Sequence, residues 1–162
     1  MMRFYEDLRV GDRFELGSHL FTREEIKAFA GQFDPQPFHV DEEAGARSHF
    51  GALVASGWHT ASMWMRKIAD FNKREAELMR QRGEPVPETG PSPGFRNLRW
   101  YKPVFGGDTV SYRCEVIAMR VSRSMPNRGL ITLMGSGSNQ HGVQIFSLES
   151  ITFVERRDPT PP

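Results

Sequence analysis

Only one cysteine, Cys114, occurs among the 162 residues. Its isolation excludes an intrachain disulfide and a zinc cluster built on thiolates, and suits a reducing compartment. An excess of charge of either sign is also missing, because 21 lysines and arginines face 20 acidic residues for a formal net charge of +1. That balance gives no electrostatic footprint for nucleic acid or for an anionic membrane surface. No apolar run approaches the length that crosses a bilayer, and the opening Met1-Met2-Arg3-Phe4-Tyr5-Glu6-Asp7 has no apolar signal-peptide core. These absences imply a soluble chain, expected in the cytoplasm, with neither membrane nor nucleic acid as partner. Its length fits one domain, residues 1–162, with room for a substantial core.

What is present is an ordered set of periodicities. Thr22-Arg23-Glu24-Glu25 has capping-box spacing and is followed by Ile26, Phe29 and Ala30, which predicts a helix from Thr22 to about Gly31. A further helical turn is expected over Asp41 to Arg47. From Gly57 to Met65 the apolar residues Trp58, Ala61, Met63, Trp64 and Met65 point all round a helix, which predicts enclosure on every side; beyond Met65 the stripe narrows to Ile68, Phe71, Leu78 and Met79. An enclosed helix needs a wrapping layer. Val110, Tyr112, Cys114 and Val116 alternate with polar residues, and Leu130 to Met134 and Val143 to Val154 are two more β-rich runs separated by short turns, which makes an antiparallel meander. Arg13 to Leu20 and Phe95 to Tyr101 supply two further strands. The reading is an α+β chain in which an antiparallel sheet wraps a long central helix. Gly83 to Gly94, with four prolines, is a plain linker or a movable cover, and residues 157–162 are expected to be a disordered tail.

The densest chemical signal is Asp34-Pro35-Gln36-Pro37-Phe38-His39. The prolines fix their own φ and push Asp34 and Gln36 out of the α region, which predicts a stiff, non-helical loop. Fully extended, five residues would separate the two Cα atoms by roughly 17 Å, so a shared reaction centre requires the loop to turn back. On these residues alone, Asp34 also fits a turn former before proline, and His39 a half-buried, satisfied histidine. A metal set drawn from His39, Asp41, His49 and His59 lacks HExxH spacing and is not adopted. The third element is Ala55-Ser56-Gly57-Trp58-His59. A helix starting here offers unpaired N–H groups and the positive end of its dipole, and Gly57 admits a close ligand oxygen. Ser56 equally reads as an ordinary N-cap.

Together these residues resemble the MaoC-like dehydratases, which include the (R)-specific enoyl-CoA hydratases and have the hot-dog fold. The resemblance runs through Phe29-Ala30, Asp34 to Asp41, Phe50-Gly51, Ala55-Ser56-Gly57, Leu98-Arg99-Trp100, Pro103-Val104 and Gly107-Asp108-Thr109. Asp34, Pro37 and His39 match the family motif Asp-x-Asn-Pro-x-His, with Gln36 in place of the usual asparagine. The serine that some hydratases carry further along the central helix is absent, since Met65 or Arg66 stands there.

The resemblance implies reversible hydration of an α,β-unsaturated acyl thioester. Asp34 and His39 would hold the water, and the Gly57 N–H would meet the thioester oxygen. It implies an acyl-CoA or acyl-carrier thioester as substrate, no separate cofactor, no metal, and a homodimer or higher homo-oligomer. Phe38, Trp58, Met63, Trp64 and Phe95 are the candidates for an apolar acyl tunnel, although core packing accounts for most of these equally well, and Ser56 is a further candidate for substrate binding. Arg96, Arg99, Lys102 and Arg128 are candidates for the CoA phosphates, and a solvated strand face explains them as well. Two competing readings stand beside the hydratase: a hot-dog thioesterase, in which water attacks the carbonyl, and a non-catalytic acyl-thioester binder that has kept the scaffold.

Overall fold

A computed structural model describes residues 2–157. Five strands, β1 (Arg13–Leu20), β2 (Gly94–Trp100), β3 (Thr109–Val121), β4 (Arg128–Ser138) and β5 (Gln144–Glu155), form one sheet in the order β1-β3-β4-β5-β2. Every neighbouring pair is antiparallel. The alternation read in the sequence is the cause: Val110, Tyr112, Cys114 and Val116 of β3 are at most 1% exposed while Ser111 and Arg113 between them face solvent. Gly135, Ser136 and Gly137 continue β4 rather than forming a phosphate loop. Gly135 lies directly against the indole of Trp64, where any Cβ would collide with the ring.

Among the described residues are four α-helices, α1 (Arg23–Phe33), α2 (Pro37–Val40), α3 (Glu42–Arg47) and α4 (Gly57–Gln81), and one 3-10 turn at Tyr5–Asp7. The sheet wraps around α4, which touches β1, β3 and β4, so the hot-dog arrangement is the fold. Trp64 is the knob that joins helix to sheet. It is 1% exposed, and its Nε1–H donates to the Arg113 carbonyl at 3.2 Å, so a large apolar side chain is buried with its polar atom satisfied.

Two sequence expectations are corrected. The Asp34 loop is not wholly non-helical: Pro37 opens the single turn α2, which carries His39. Proline is well suited to a helix's first position, where its missing N–H has no partner to lose. The opening turns of α4 are likewise not enclosed on every side, since Trp58 and Met65 are each about half exposed whereas His59, Thr60 and Trp64 are buried. One chain covers one face of the helix. The 83–94 segment runs against β5, with a bridge between Thr89 and Val154. Of the 157–162 tail, Arg157 is tied to Glu6 and Asp7, and residues 158–162 lie outside the described residues. Among the described residues no helix is long and apolar enough to cross a membrane.

Candidate active site

Helix α1 ends at Asp34, whose N–H donates to the Ala30 carbonyl at 2.9 Å. Two short backbone bonds then reverse the chain: Gln36 N–H donates to the Asp34 carbonyl at 2.7 Å, and His39 N–H to the Gln36 carbonyl at 2.9 Å. The result is the fold-back that a shared centre requires. His39 Nε2 stands 3.5 Å from Asp34 Oδ2.

Each group is held from behind. His39 is 6% exposed, and its Nδ1 lies 2.7 Å from the Val54 carbonyl. A carbonyl can only accept, so Nδ1 carries a proton toward Val54, and in the neutral ring the free lone pair is the one on Nε2, facing Asp34. Asp34 Oδ2 accepts from the Ser56 hydroxyl at 2.6 Å, and Oδ1 accepts from the Gln36 side-chain amide at 2.9 Å. The Ser56 bond is the main reason that the Asp34 carboxyl is held below its ordinary value of 3.8; Gln36 and His39 act in the same direction, and partial burial opposes them. Gln36 thus has a defined task at the position where it departs from the usual asparagine.

Ser56 also caps α4, accepting from the Trp58 N–H at 3.2 Å. Gly57 follows as the first helical residue, and among the described residues no protein acceptor takes its N–H, as the helix geometry dictates. The side-chain-free Cα is needed for a second reason. A Cβ on Gly57 would sit 2.5 Å from the Trp100 ring, whose Nε1–H donates to the Gly57 carbonyl at 3.0 Å. Trp100 in turn meets Trp58 edge to face at 5.4 Å.

Asp34, His39 and Gly57 share the wall of one open cavity of about 470 Å³, within the range of small-molecule sites. Phe38, Phe50, Val54, Trp58, Val104 and Ile145 make much of it apolar, while Gln36, Thr60, Tyr101 and Lys102 bring polar groups. Of the sequence candidates, Phe38 and Trp58 therefore lie on the cavity, and Ser56 lies behind Asp34 as its hydrogen-bond donor. Trp64 does not reach it, being sealed against β3 and β4. Phe95 and Arg99 are exposed on β2 and also lie off the cavity. Arg96 and Arg128 are paired with Glu149 and Glu88, which leaves Lys102 as the one cation among the four candidates on the cavity wall. Trp100 and Tyr101 carried no role in the sequence reading. Their signal was the Leu98-Arg99-Trp100 segment, which was matched without being tied to Gly57.

Residues 9–132 match the family described as MaoC like domain. The chain belongs to the MaoC-like dehydratase family. A MaoC-like dehydratase from Rhodospirillum rubrum is 37% identical, with 96% of this chain and 99% of that one covered and a TM-score of 0.79. The (R)-hydratase from A. caviae involved in PHA biosynthesis is 26% identical, with 93% of this chain and 98% of that one covered and a TM-score of 0.65. The uncharacterized protein YdeM of Bacillus subtilis is 26% identical over 151 residues, 93% of this chain and 98% of the relative. In this MaoC-like protein, then, Asp34, His39 and Gly57 meet at one cavity.

Proposed function

We propose that the protein is a hydratase or dehydratase of α,β-unsaturated acyl thioesters, carried on CoA or an acyl carrier protein, and that it interconverts the enoyl and 3-hydroxyacyl forms without a separate cofactor. The observation that carries this reading is the facing of two acceptors. Nε2 of His39 and Oδ2 of Asp34 lie 3.5 Å apart, and with Nδ1 donating to Val54 the neutral tautomer of the ring presents its lone pair beside that of the carboxylate. A water at the apex of that pair satisfies both with hydrogen bonds of ordinary length, roughly 2.8 Å each, and leaves its own lone pair free to attack.

Attack of the water oxygen on C3 moves the C2–C3 π electrons into the thioester and builds an enolate oxygen. The Gly57 N–H, reinforced by the α4 dipole, meets that charge where it develops. His39 takes the water's proton and returns a proton to C2, so H and OH are added across the double bond. Asp34 is the weaker base, its electron density drawn off by Ser56 and Gln36, and it orients the water and stabilises the imidazolium. Dehydration is the same path reversed.

Asp34→Asn and His39→Ala should each lower turnover of an enoyl thioester such as crotonyl-CoA, read as loss of the conjugated absorbance, by about 10²–10⁴-fold, with unchanged circular dichroism. Normal turnover in either variant removes the mechanism. A panel of enoyl groups of differing length and branching, on CoA and on an acyl carrier protein, assigns the substrate.

The proposal includes a cytoplasmic homodimer or higher homo-oligomer. It is supported by the half-exposed Trp58, Phe95 and Trp100 along β2 and α4, on a strand whose described pairing is with β5 alone. Scattered apolar residues are ordinary on a surface, whereas a cluster of large aromatics at a sheet edge is an association site. A monomeric mass by sedimentation at micromolar concentration would overturn this part.

A further inference from the structure

On the far side of the first turn of α4 lies a second cluster that the proposed chemistry does not use. His59, next but one to Gly57, is 2% exposed and stacks flat on Phe29, with ring centroids 4.4 Å apart and planes 5° apart, while the edge of Phe21 closes another side. Its Nδ1 is buried with no hydrogen-bond partner. Every polar interaction of this ring is therefore directed through Nε2, which lies 3.5 Å from Glu25 Oε1. From the other flank, at the end of β1, His19 places its Nε2 3.0 and 2.9 Å from the two Glu25 oxygens. One donor atom from each of the three side chains lies within 4.8 Å of the others.

The hydrogen bonding of the cluster is unevenly filled. The Glu25 carboxylate is engaged at close range by His19, while the fully desolvated His59 is left at a distance beyond a good hydrogen bond. Two imidazoles and one carboxylate, drawn from three separate elements, are a donor set for a borderline first-row cation rather than for Mg²⁺ or Ca²⁺, which favour all-oxygen shells. The spacing suits it. Ligand atoms on a tetrahedral ion with bonds of about 2.0–2.1 Å stand roughly 3.3 Å apart, and the separations of Glu25 Oε1 from the two imidazole Nε2 atoms, 3.0 Å to His19 and 3.5 Å to His59, bracket that edge. The remaining edge, between the two imidazoles, is no more than 4.8 Å and closes by a swing of His19, which is partly exposed and meets Phe21 edge-on. The exposed side of Glu25 provides the entry path.

We propose that His19, Glu25 and His59 form a binding site for one divalent first-row cation of the Zn²⁺, Co²⁺ or Ni²⁺ type. The ion takes the place of the proton between Glu25 and His19 and draws His59 Nε2 into its shell. It is a brace and not a reactant. It ties the end of β1 and the first turn of α1, which leads to Asp34, to the first turn of α4, which presents Gly57.

The test is titration of tag-free, chelator-treated full-length protein with Co²⁺, read by visible d–d absorption, and with Zn²⁺, read by the thermal midpoint. One equivalent of Co²⁺ should give the intense bands of a four- or five-coordinate ion, and Zn²⁺ should raise the midpoint where Mg²⁺ does not. His19→Ala and Glu25→Gln, at partly exposed positions where folding is readily checked by circular dichroism, should each weaken binding at least tenfold. His141→Ala and Asp34→Asn should bind as the wild type does. Absence of the bands and of the shift in the wild type overturns the proposal, and so does binding kept in His19→Ala and Glu25→Gln or lost in Asp34→Asn. Because the readouts are spectral and thermal, they stand or fall independently of whether the protein hydrates enoyl thioesters.

Discussion

His39 and His59 are both nearly buried, and each has a carboxylate oxygen 3.5 Å from its Nε2, yet the two sites have opposite character. The difference lies in the other nitrogen and in what surrounds the ring. His39 donates its Nδ1–H to the Val54 carbonyl, which fixes the tautomer of the neutral ring, and its other nitrogen opens on a cavity. His59 has no partner for Nδ1 and is clasped between phenylalanines, and burial lowers its pKa from the ordinary 6.5 against the pull of Glu25. The carboxylates differ in the same way. Asp34 is held by neutral donors, Ser56 and Gln36, which fix it without neutralising it, whereas Glu25 is shared between two imidazoles. Proximity of an acid to an imidazole is thus not a catalytic signature in itself; a satisfied rear nitrogen and an open front are what distinguish one pair from the other.

The sharpest way to break this contrast is to truncate His59. His59→Ala should cost about 2–5 kcal/mol of stability, the range for emptying a packed core position, measured by chemical denaturation. Its turnover at a temperature where it is folded should remain far above that of His39→Ala. Equal loss of activity in the two would erase the distinction. A smaller effect is expected from Ser56→Ala, which removes a hydrogen bond to an ionised group worth about 1.5–3 kcal/mol. It should lower kcat/KM by roughly tenfold to a hundredfold and raise the Asp34 pKa, seen by NMR titration of the carboxyl carbon. Smallest is the dependence of stability on pH. Asp34 sits below its ordinary 3.8 in the folded state, so its contribution is complete above that value and is lost as the pH falls through the lowered folded value. The acid limb of the thermal-midpoint profile should flatten in Asp34→Asn, and an unchanged limb would show that Ser56 does not hold the carboxylate as described.

The sequence carried the scaffold because strand alternation and capping are local. The β1 bounds agree residue for residue, and Thr22 caps α1 by accepting from the Glu25 N–H at 3.2 Å. It carried Asp34 and His39 because one short motif holds both, and Gly57 because a glycine stands where the apolar helix pattern starts. Contacts between distant segments were not legible. The capping-box spacing implies that Glu25 reaches back to the Thr22 backbone, but its carboxylate turns to His19 and His59, since a buried imidazole from another element competes for it. Trp100 lies 43 residues from Gly57, and no local pattern announces that an indole rests on that glycine. The all-round apolar pattern at the start of α4 implies burial on every side, but Trp58 and Met65 are left open on the surface.

The Ser56 hydroxyl has one hydrogen, and it is committed to Asp34, while an oxygen lone pair is occupied by the Trp58 amide. A nucleophilic serine also hands its proton to a base, but its oxygen must be free to reach the carbonyl, whereas Ser56 is 1% exposed, lies behind the cavity wall and has its oxygen turned to the Trp58 amide. That burial makes Ser56 an anchor for the carboxylate and not the seat of an acyl-serine ester.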